Sequence, residues 1–382
     1  MKKILFFLTI FATFTLSGCW DSVETEKLGV ITLLGVELSD NDNIKLTVQE
    51  VSPKSPSTGS QSSGSAPQAH FYVYSEEGST ISEAIQKISS SQHKNIYLSH
   101  AKAIILDEEM VRSKGLKPVI DFYQRFPDMR LKTWLLISKS GQLDSILTTN
   151  IGLNTDTGTI LSETIANDKF NSYMTVKNMK DFIEMLGEPG SEAYTSGVSI
   201  SSKDTSNKID IKDTAIFKND KMIGWLKDDE SRGLSIANDN VKGGFMSIPF
   251  EDNVLSLRIL KVASKVHPII NNGEMQINLN VNVLSNIAES QGMSDFLKED
   301  TIEKVQQLQS EQIKNEITAA LNKSKNLNSD IFEFGNYFNM YFPKIWKDID
   351  EDWYSYYPNL QVNINVDTTV KNIGNNYKTL KY

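Results

Sequence analysis

Apolar residues in the first half of the chain follow strand-like and helix-like spacings in turn. The strand-like stretches are Leu28–Leu38, Ile44–Val51, His70–Tyr74, Ala101–Leu106 and Thr133–Ser138. Helices are predicted where apolar residues recur on one helical face, over Thr80–Ile88, Leu116–Tyr123 and Val176–Leu186. Strands that alternate with helices are typical of an α/β or α+β layer.

Long alternating strands dominate the second half. The predicted strands are Ile209–Lys218, Lys221–Leu226, Val254–Val266, Glu274–Ile287 and Leu360–Val370. The first two form a hairpin around Asn219-Asp220, residue types that tolerate a positive φ. The longest helix is predicted over Asp300–Lys323. The pattern predicts an α+β fold of two to three mixed α/β domains, with mainly antiparallel or mixed sheets and one long helix in the C-terminal half.

Two polar stretches divide this pattern. Residues 52–69 consist almost wholly of Ser, Gly, Pro, Gln and Thr, which cannot bury apolar surface, so we predict a mobile loop. Because strand-like segments flank it closely, we place it inside one domain, with a domain linker as the alternative. The stretch Ser199–Asn207 is the best candidate for a major boundary. It separates an N-terminal α+β region, residues 19–205, from a C-terminal α+β domain, residues 206–382.

The N-terminus has the features of an export signal over residues 1–18. Two lysines precede an apolar run, Ile4–Leu16, of about 13 residues, whereas a helix that spans a bilayer needs roughly 20. The small residues Ser17 and Gly18 lead into Cys19, the only cysteine of the chain. This stretch resembles a bacterial lipobox, in which the leader is cut between Gly18 and Cys19 and the Cys19 sulfur carries diacylglycerol. The alternatives are an ordinary secretory signal and a free buried thiol.

A diacylglycerol on Cys19 would fasten the chain to a membrane without a transmembrane helix. One acyl chain holds a protein only marginally, but two chains, at about 0.8 kcal/mol for each buried methylene, give durable attachment. No other segment is predicted to span a membrane. The formal net charge of −9 argues against nucleic acid and anionic lipid as further partners. We therefore predict a body tethered at a membrane surface.

The sequence contains none of the residue patterns that mark common catalytic or metal sites. Its four histidines, His70, His93, His100 and His267, are scattered, without a cysteine pair or an HExxH motif. Neither a GxxxxGK[ST] nor a GxGxxG phosphate loop occurs. Gly233–Ala237 approaches a nucleophile elbow but lacks the second glycine. We predict a protein that is not an enzyme and that uses no metal and no cofactor.

An aromatic-rich segment lies shortly before the last predicted strand. Phe, Tyr and Trp residues concentrate between Phe332 and Tyr357, and Pro343 suits the start of a new helix within the segment. Two interpretations are open. The aromatic side chains pack in the core against the final sheet, or some remain exposed as a docking surface, since Trp and Tyr bury large areas at low entropic cost. Trp346 and Trp353 are the candidate interface residues here.

Several stretches, in order along the chain, resemble segments of one protein family. GCWD at 18–21 resembles a motif of that family, and later blocks resemble SHAKAIILDEEM, FPDMRLKTWLLISKS and NSYMTVKNMKDFIEMLGEPG. GWL at 224–226, with Glu230 and Arg232 behind it, is similar to a further pattern. By these motifs the chain resembles the lipoprotein C subunit of the nutrient germinant receptors of bacterial endospores. It departs from them at Phe126, where the family often has Asp, and in the Ser-rich loop, which has no match.

The resemblance implies a non-enzymatic role at the outer face of the spore inner membrane, which is the cytoplasmic membrane of the spore. Such subunits work with two integral membrane subunits in a receptor that senses nutrients and triggers germination. Whether this subunit binds the germinant is left open. The family fold is α+β and has three domains, which implies that the N-terminal region splits near residue 145.

Trp225 and Arg232 of the GWL pattern join Trp346 and Trp353 as candidate interface residues. Trp225 is either a core residue of its hairpin or a contact with a partner. The main rival hypothesis is a solute-binding lipoprotein that delivers a small ligand to a membrane transporter. It fits poorly, because such proteins usually have two similar α/β lobes. A lipid-anchored secreted enzyme is a second rival.

Overall fold

The computed structural model of the protein describes residues 27–51, 71–149, 156–203, 206–291 and 295–372. The predicted signal, Gly18 and Cys19 lie outside these residues, as does the predicted loop at 52–69. Within the described ranges the chain forms two mixed sheets with helices packed on them. The predicted α+β class is confirmed.

The larger sheet has ten strands. They are β1 Leu28–Leu38, β2 Ile44–Val51, β3 Phe71–Gly78, β4 Asn95–Tyr97, β5 Ala103–Asp107, β6 Trp134–Ser138, β7 Lys177–Asn178, β8 Tyr194–Lys203, β9 Ser206–Lys218 and β10 Lys221–Leu226. Their order is β10-β9-β8-β6-β5-β1-β2-β3, with β4 beside β1 and β7 beside β6. Strands β1, β5, β6 and β8 are parallel neighbours, and the other pairs along this order are antiparallel.

Helices cover both faces of the larger sheet. They are α1 Ile81–Ser90, α2 Glu108–Ser113, α3 Lys117–Arg125, α4 Leu143–Thr148, α5 Thr157–Ala166 and α6 Met179–Gly187. Ile104 and Leu106 of β5 share a core with α1, α2, α3 and α6, whereas Ala103 and Ile105 share one with α4 and α5. Because both faces are covered, β5 and β6 are almost continuously apolar instead of alternating.

The C-terminal half forms a four-stranded sheet in the order β11-β12-β13-β14. Its elements are α7 Asp228–Ala237, β11 Gly244–Phe250, β12 Asn253–Asn271, β13 Glu274–Ser290, α8 Glu299–Asn326, α9 Phe334–Tyr341, α10 Pro343–Ile349, α11 Trp353–Tyr356 and β14 Gln361–Asn372. Alternate residues of β13, from Ile277 to Val283, share one core with Ile313 and Ile317 of α8. The predicted long strands and long helix are therefore confirmed.

Two predicted features differ from the structure. The helix α6 begins at Met179, later than predicted, because Asn178 pairs with β6 and its side chain caps the first turn. Within the polar stretch Ser199–Asn207, the described residues belong to the paired strands β8 and β9, so this stretch is part of a hairpin. As a domain boundary, the division at residue 205 stays a prediction, and so does the one near residue 145.

Candidate functional site

Trp225 lies on β10, beside α2. Its indole Nε1 donates a hydrogen bond to Glu108 Oε1 at 2.8 Å, and Lys139 Nζ lies 3.4 Å from the centre of its ring. Gly197 leaves room for the ring, since a Cβ there would lie 2.7 Å from it. Burial raises the pKa of Glu108, but hydrogen bonds from Trp225 and Arg112 outweigh it and leave that pKa below its usual value. Trp225 is half-buried, and its indole contacts the charged side chains of Glu108 and Lys139.

Arg232 is buried between α7 and α8. Its guanidinium donates to both carboxylate oxygens of Glu316, with Nε 2.7 Å from Oε2. It also donates to the Tyr173 hydroxyl at 2.6 Å and to Asp229 Oδ1 at 2.9 Å. Gly233 permits the close helix crossing, because a Cβ there would lie 2.3 Å from the Glu316 backbone oxygen. The Arg-Gly pair therefore joins two helices inside the chain.

Trp346 and Trp353 are buried in an aromatic core, with their ring centres 5.4 Å apart. The Trp353 indole donates to Asp330 Oδ2 at 3.2 Å. Asp330 also accepts from the backbone N–H groups of Phe334 at 3.1 Å and Gly335 at 2.8 Å, so it caps the start of α9. Burial raises the pKa of Asp330 to about 7. Both tryptophans thus have internal partners.

The turn at Pro189-Gly190 meets this aromatic core. Gly190 has a φ of +62°, a conformation that favours glycine. A Cβ at Gly190 would lie 2.5 Å from the Trp346 ring, and a Cβ at Gly335 would lie 2.6 Å from the Gly190 Cα. The two glycines therefore let the backbone after α6 touch the start of α9.

The outer side of the aromatic segment carries exposed apolar side chains. Met340 and Tyr341 are 56% and 59% exposed, and Ile345 and Tyr356 are 40% and 44% exposed. A docking surface on this segment stays a prediction. Its large exposed apolar and aromatic side chains are these four, whereas Trp346 and Trp353, which the sequence singled out, are buried.

A groove of about 580 Å³ opens between α1, α3 and the turn from β1 to β2. Its floor is lined by the apolar side chains of Leu38, Ile44, Ile81, Met110 and Phe122. On its rim Lys114 pairs with Asp42, and Arg125 pairs with Asp121 at 2.7 Å. Because these rim charges pair with one another, the groove offers mainly apolar contact to a guest.

Among the residues that the structure describes, no three His, Cys, Asp or Glu side chains are placed to hold a metal ion. No described helix is both long and apolar enough to cross a membrane.

These observations define a two-sheet α+β protein. Its candidate interface residues mainly contact other parts of the same chain, and we call these contacts internal junctions. A solved structure, the crystal structure of the GerBC protein, has a similar fold, with a TM-score of 0.56 at 16% identity. The alignment covers 88% of this chain and 96% of that chain. At this identity the likeness shows the fold alone.

Family models match both halves of the sequence. One is described as the spore germination protein N-terminal domain and matches residues 21–200. The other is described as spore germination B3/GerAC like, C-terminal, and matches residues 212–374. The chain therefore belongs to the GerAC-like family of spore germination proteins, and the resemblance described above is confirmed.

Curated relatives align over the full length. Spore germination protein KC of Bacillus subtilis (strain 168) is 22% identical, with 100% of this chain and 98% of the relative covered. Putative spore germination protein YfkR of the same organism is 24% identical, with 100% of both covered. Its spore germination protein A3 is 23% identical, with 97% of this chain and 98% of the relative covered.

Proposed function

We propose that this chain is a lipid-anchored subunit of a spore germinant receptor and that it acts by binding its partners, not by catalysis. The observation that carries the proposal is the family match over both halves of the chain. It is supported by the predicted leader, residues 1–18, which ends in the small residues Ser17 and Gly18 directly before Cys19. Relatives named as spore germination proteins A3 and B3 span almost the whole chain.

The proposed anchor keeps the folded body close to the membrane. Cys19 would carry diacylglycerol at the outer face of the spore inner membrane. Since an extended chain spans at most about 3.6 Å per residue, Leu28 at the start of β1 would stand within about 32 Å of Cys19. Such tethering raises the effective concentration of the body beside the two integral membrane subunits. A modest interface would then suffice for assembly and signalling.

The exposed apolar residues of the aromatic segment are the surface that we assign to these partners. Tyr341 and Tyr356 offer large, rigid contact areas. Asp350, Glu351 and Asp352 are exposed in the same segment, and burying their charges in lipid would be costly. The segment therefore fits a protein partner better than the interior of the bilayer.

Cys19→Ala is expected to release the protein from the membrane fraction and to impair germination. The melting temperature should stay at the wild-type value, because residue 19 precedes the described fold. Fractionation of spore membranes and mass spectrometry of the mature N-terminus measure the effect. Ser17→Ala, which keeps a small side chain before the cut, is the matched control and should behave like wild type. A Cys19→Ala protein bound as firmly as wild type would contradict the anchor.

Trp225→Ala is expected to lower the free energy of unfolding by about 2–3 kcal/mol, because it removes ring packing, a hydrogen bond and a cation–π contact. Trp225→Phe keeps most of the ring volume and should lose only about 1 kcal/mol. Melting temperature and germination rate are compared for both variants. An unchanged melting temperature with slow germination would reject the core interpretation and favour a partner contact.

The solute-binding hypothesis has one observation in its favour, the groove of about 580 Å³. A delivery protein should bind one small ligand tightly, and calorimetry of the protein against amino acids and sugars tests this directly. Tight binding that Phe122→Ala weakens would favour the rival role.

A further inference from the structure

A row of amide side chains crosses the exposed face of the smaller sheet. Asn363 and Asn365 of β14 lie beside Asn278 and Asn280 of the parallel strand β13. Asn363 Nδ2 donates to Asn278 Oδ1 at 2.9 Å, and Asn365 Nδ2 donates to Asn280 Oδ1 at 3.0 Å. Asn363 and Asn365 are exposed. The edge strand β14 therefore presents uncharged polar groups that its neighbour already holds in place.

Within the described part of the chain, the first half of β14 has no charge, no proline and no β-bulge, three features that usually keep an edge strand from pairing. Natural edges are protected by charges, proline, bulges or a covering element. The opposite edge of the same sheet, β11, contains Pro249, and the edge strand β3 of the larger sheet carries Glu76 and Glu77. Residues 361–366 contain neither a charge nor a proline. This half of β14 is therefore open to another strand.

The second half of β14 is protected. The Val370 N–H donates to Gln306 Oε1 of α8 at 2.9 Å, and Thr368 Oγ1 donates to the Gln306 backbone oxygen at 2.7 Å. Asp367 and Lys371 add charges along the same half. An added strand is therefore directed to the first half.

We propose that the first half of β14 pairs with the same strand of a second copy of this chain. Residues 362–366, VNINV, read the same in both directions. An antiparallel pair centred on Ile364 therefore places Asn363 opposite Asn365 of the second copy, and the reverse. The row of amides then continues across the contact, from one copy to the other.

Apolar side chains support the same register. Val362 and Val366 are half-buried at the edge of the core. In the proposed register, Val362 of one copy lies opposite Val366 of the other. Two sheets of four strands join into one continuous sheet around a two-fold axis, which closes the assembly at a dimer. The contact is short, so association is weak in dilute solution and grows where copies are confined together.

Cysteine pairing tests the register. Two differently tagged full-length copies, one with Asn363→Cys and one with Asn365→Cys, are produced together and oxidised in the membranes of the producing cells. Opposite residues of an antiparallel pair lie about 4.5–5.5 Å apart at Cα, within the range that a disulfide bridges. A dimer carrying both tags is expected. It should be absent for the matched pair Asn278→Cys and Asn280→Cys on the inner strand, and for copies with Cys19 alone.

Charge pairing gives an independent test. The double variant Asn363→Lys, Asn365→Lys places like charges opposite each other and should weaken self-association roughly tenfold. The double variant Asn363→Lys, Asn365→Glu places opposite charges in register and should associate about as well as wild type. Unchanged melting temperatures show that both variants fold, since the two positions are exposed.

The proposal fails on either of two results. Equal weakening of association by both charge variants would reject the antiparallel register. A monomeric wild type whose introduced cysteines capture another membrane protein would show that β14 takes a different partner. A Cys19→Ala protein that stays in the membrane fraction would contradict the anchor alone, since a disulfide between positions 363 and 365 reports the strand register wherever two copies meet.

Discussion

Arg232→Ala is expected to lower the free energy of unfolding by about 3–5 kcal/mol, because it would leave the Glu316 carboxylate buried without its partner. The side chains of Arg232 and Glu316 are only 4% and 2% exposed. Burial lowers the pKa of Arg232, but its hydrogen bond to Glu316 outweighs this and raises that pKa. Arg232 therefore stays charged, and removing it leaves the buried Glu316 side chain without its hydrogen-bond donor. Urea unfolding of the purified protein measures the loss.

A surface ion pair provides the matched control. Arg125 and Asp121 pair at 2.7 Å with side chains 78% and 56% exposed, so Arg125→Ala should cost less than about 1 kcal/mol. The double variant Arg232→Met, Glu316→Leu should be more stable than Arg232→Ala, since it removes both buried charges. A cost for Arg232→Ala no larger than that of Arg125→Ala would contradict the junction. Poor germination in that case would favour the predicted role of Arg232 as a partner contact.

Elements with a long regular pattern could be predicted from the sequence. In β12, β13 and α8 one face is buried and the other is solvated, so apolar residues recur at the period of the element. The helix α7 was not predicted, because all residues from Ser231 to Ala237 are buried. A helix buried on all sides has no amphipathic stripe. The strand β8 was not predicted either, because the polar residues at its end are typical of a boundary between domains.

The internal junctions could be predicted only in part. The GWL pattern with Arg232 behind it pointed to Trp225 and Arg232. It did not point to Glu108 and Glu316, which lie far away along the chain and meet them only in the fold. Proline and glycine at 189–190 are residue types that indicate a turn. The contact of this turn with α9 could not be predicted, because nothing local pairs Gly190 with Gly335. The role of Asp330 could not be predicted either, because the sequence does not distinguish this carboxylate from the many others.

The family connects these junctions to the proposed role. Arg232 joins α7 to α8, and Asp330 holds the aromatic helices that carry the exposed Tyr341 and Tyr356. A surface that binds membrane partners must keep its shape while the body is tethered. The buried polar groups supply that rigidity, because each has one well-defined set of hydrogen-bond partners.

Stability is expected to fall as pH rises from about 4 to 7, in part because of Asp330. Burial raises the pKa of this carboxyl from 3.8 to about 7 in the folded protein. Between these values the unfolded chain has released the proton while the folded protein keeps it, so the folded state binds more protons. Raising the pH then favours the unfolded state, by roughly 4 kcal/mol over the whole window. Below pH 4 the contribution is fully present, and above pH 7 it is lost.

Asp330→Asn isolates this contribution. Other ionisable groups close to Asp330 are Glu192, Lys218, Glu333, Tyr354 and Tyr357. They remain in the variant, so the difference between the two pH profiles reports Asp330. The amide changes the hydrogen bonds by a constant amount, and only the slope is compared.

Urea unfolding at pH 4, 5, 6, 7 and 8 gives both profiles. The wild-type free energy of unfolding should drop more steeply than that of Asp330→Asn, while the exposed control Asp352→Asn should follow wild type. Parallel profiles for wild type and Asp330→Asn would mean that the three N–H donors keep the carboxylate charged in the fold. A wild type that gains stability over this window, relative to the variant, would reverse the sign and place the pKa of Asp330 below its usual value.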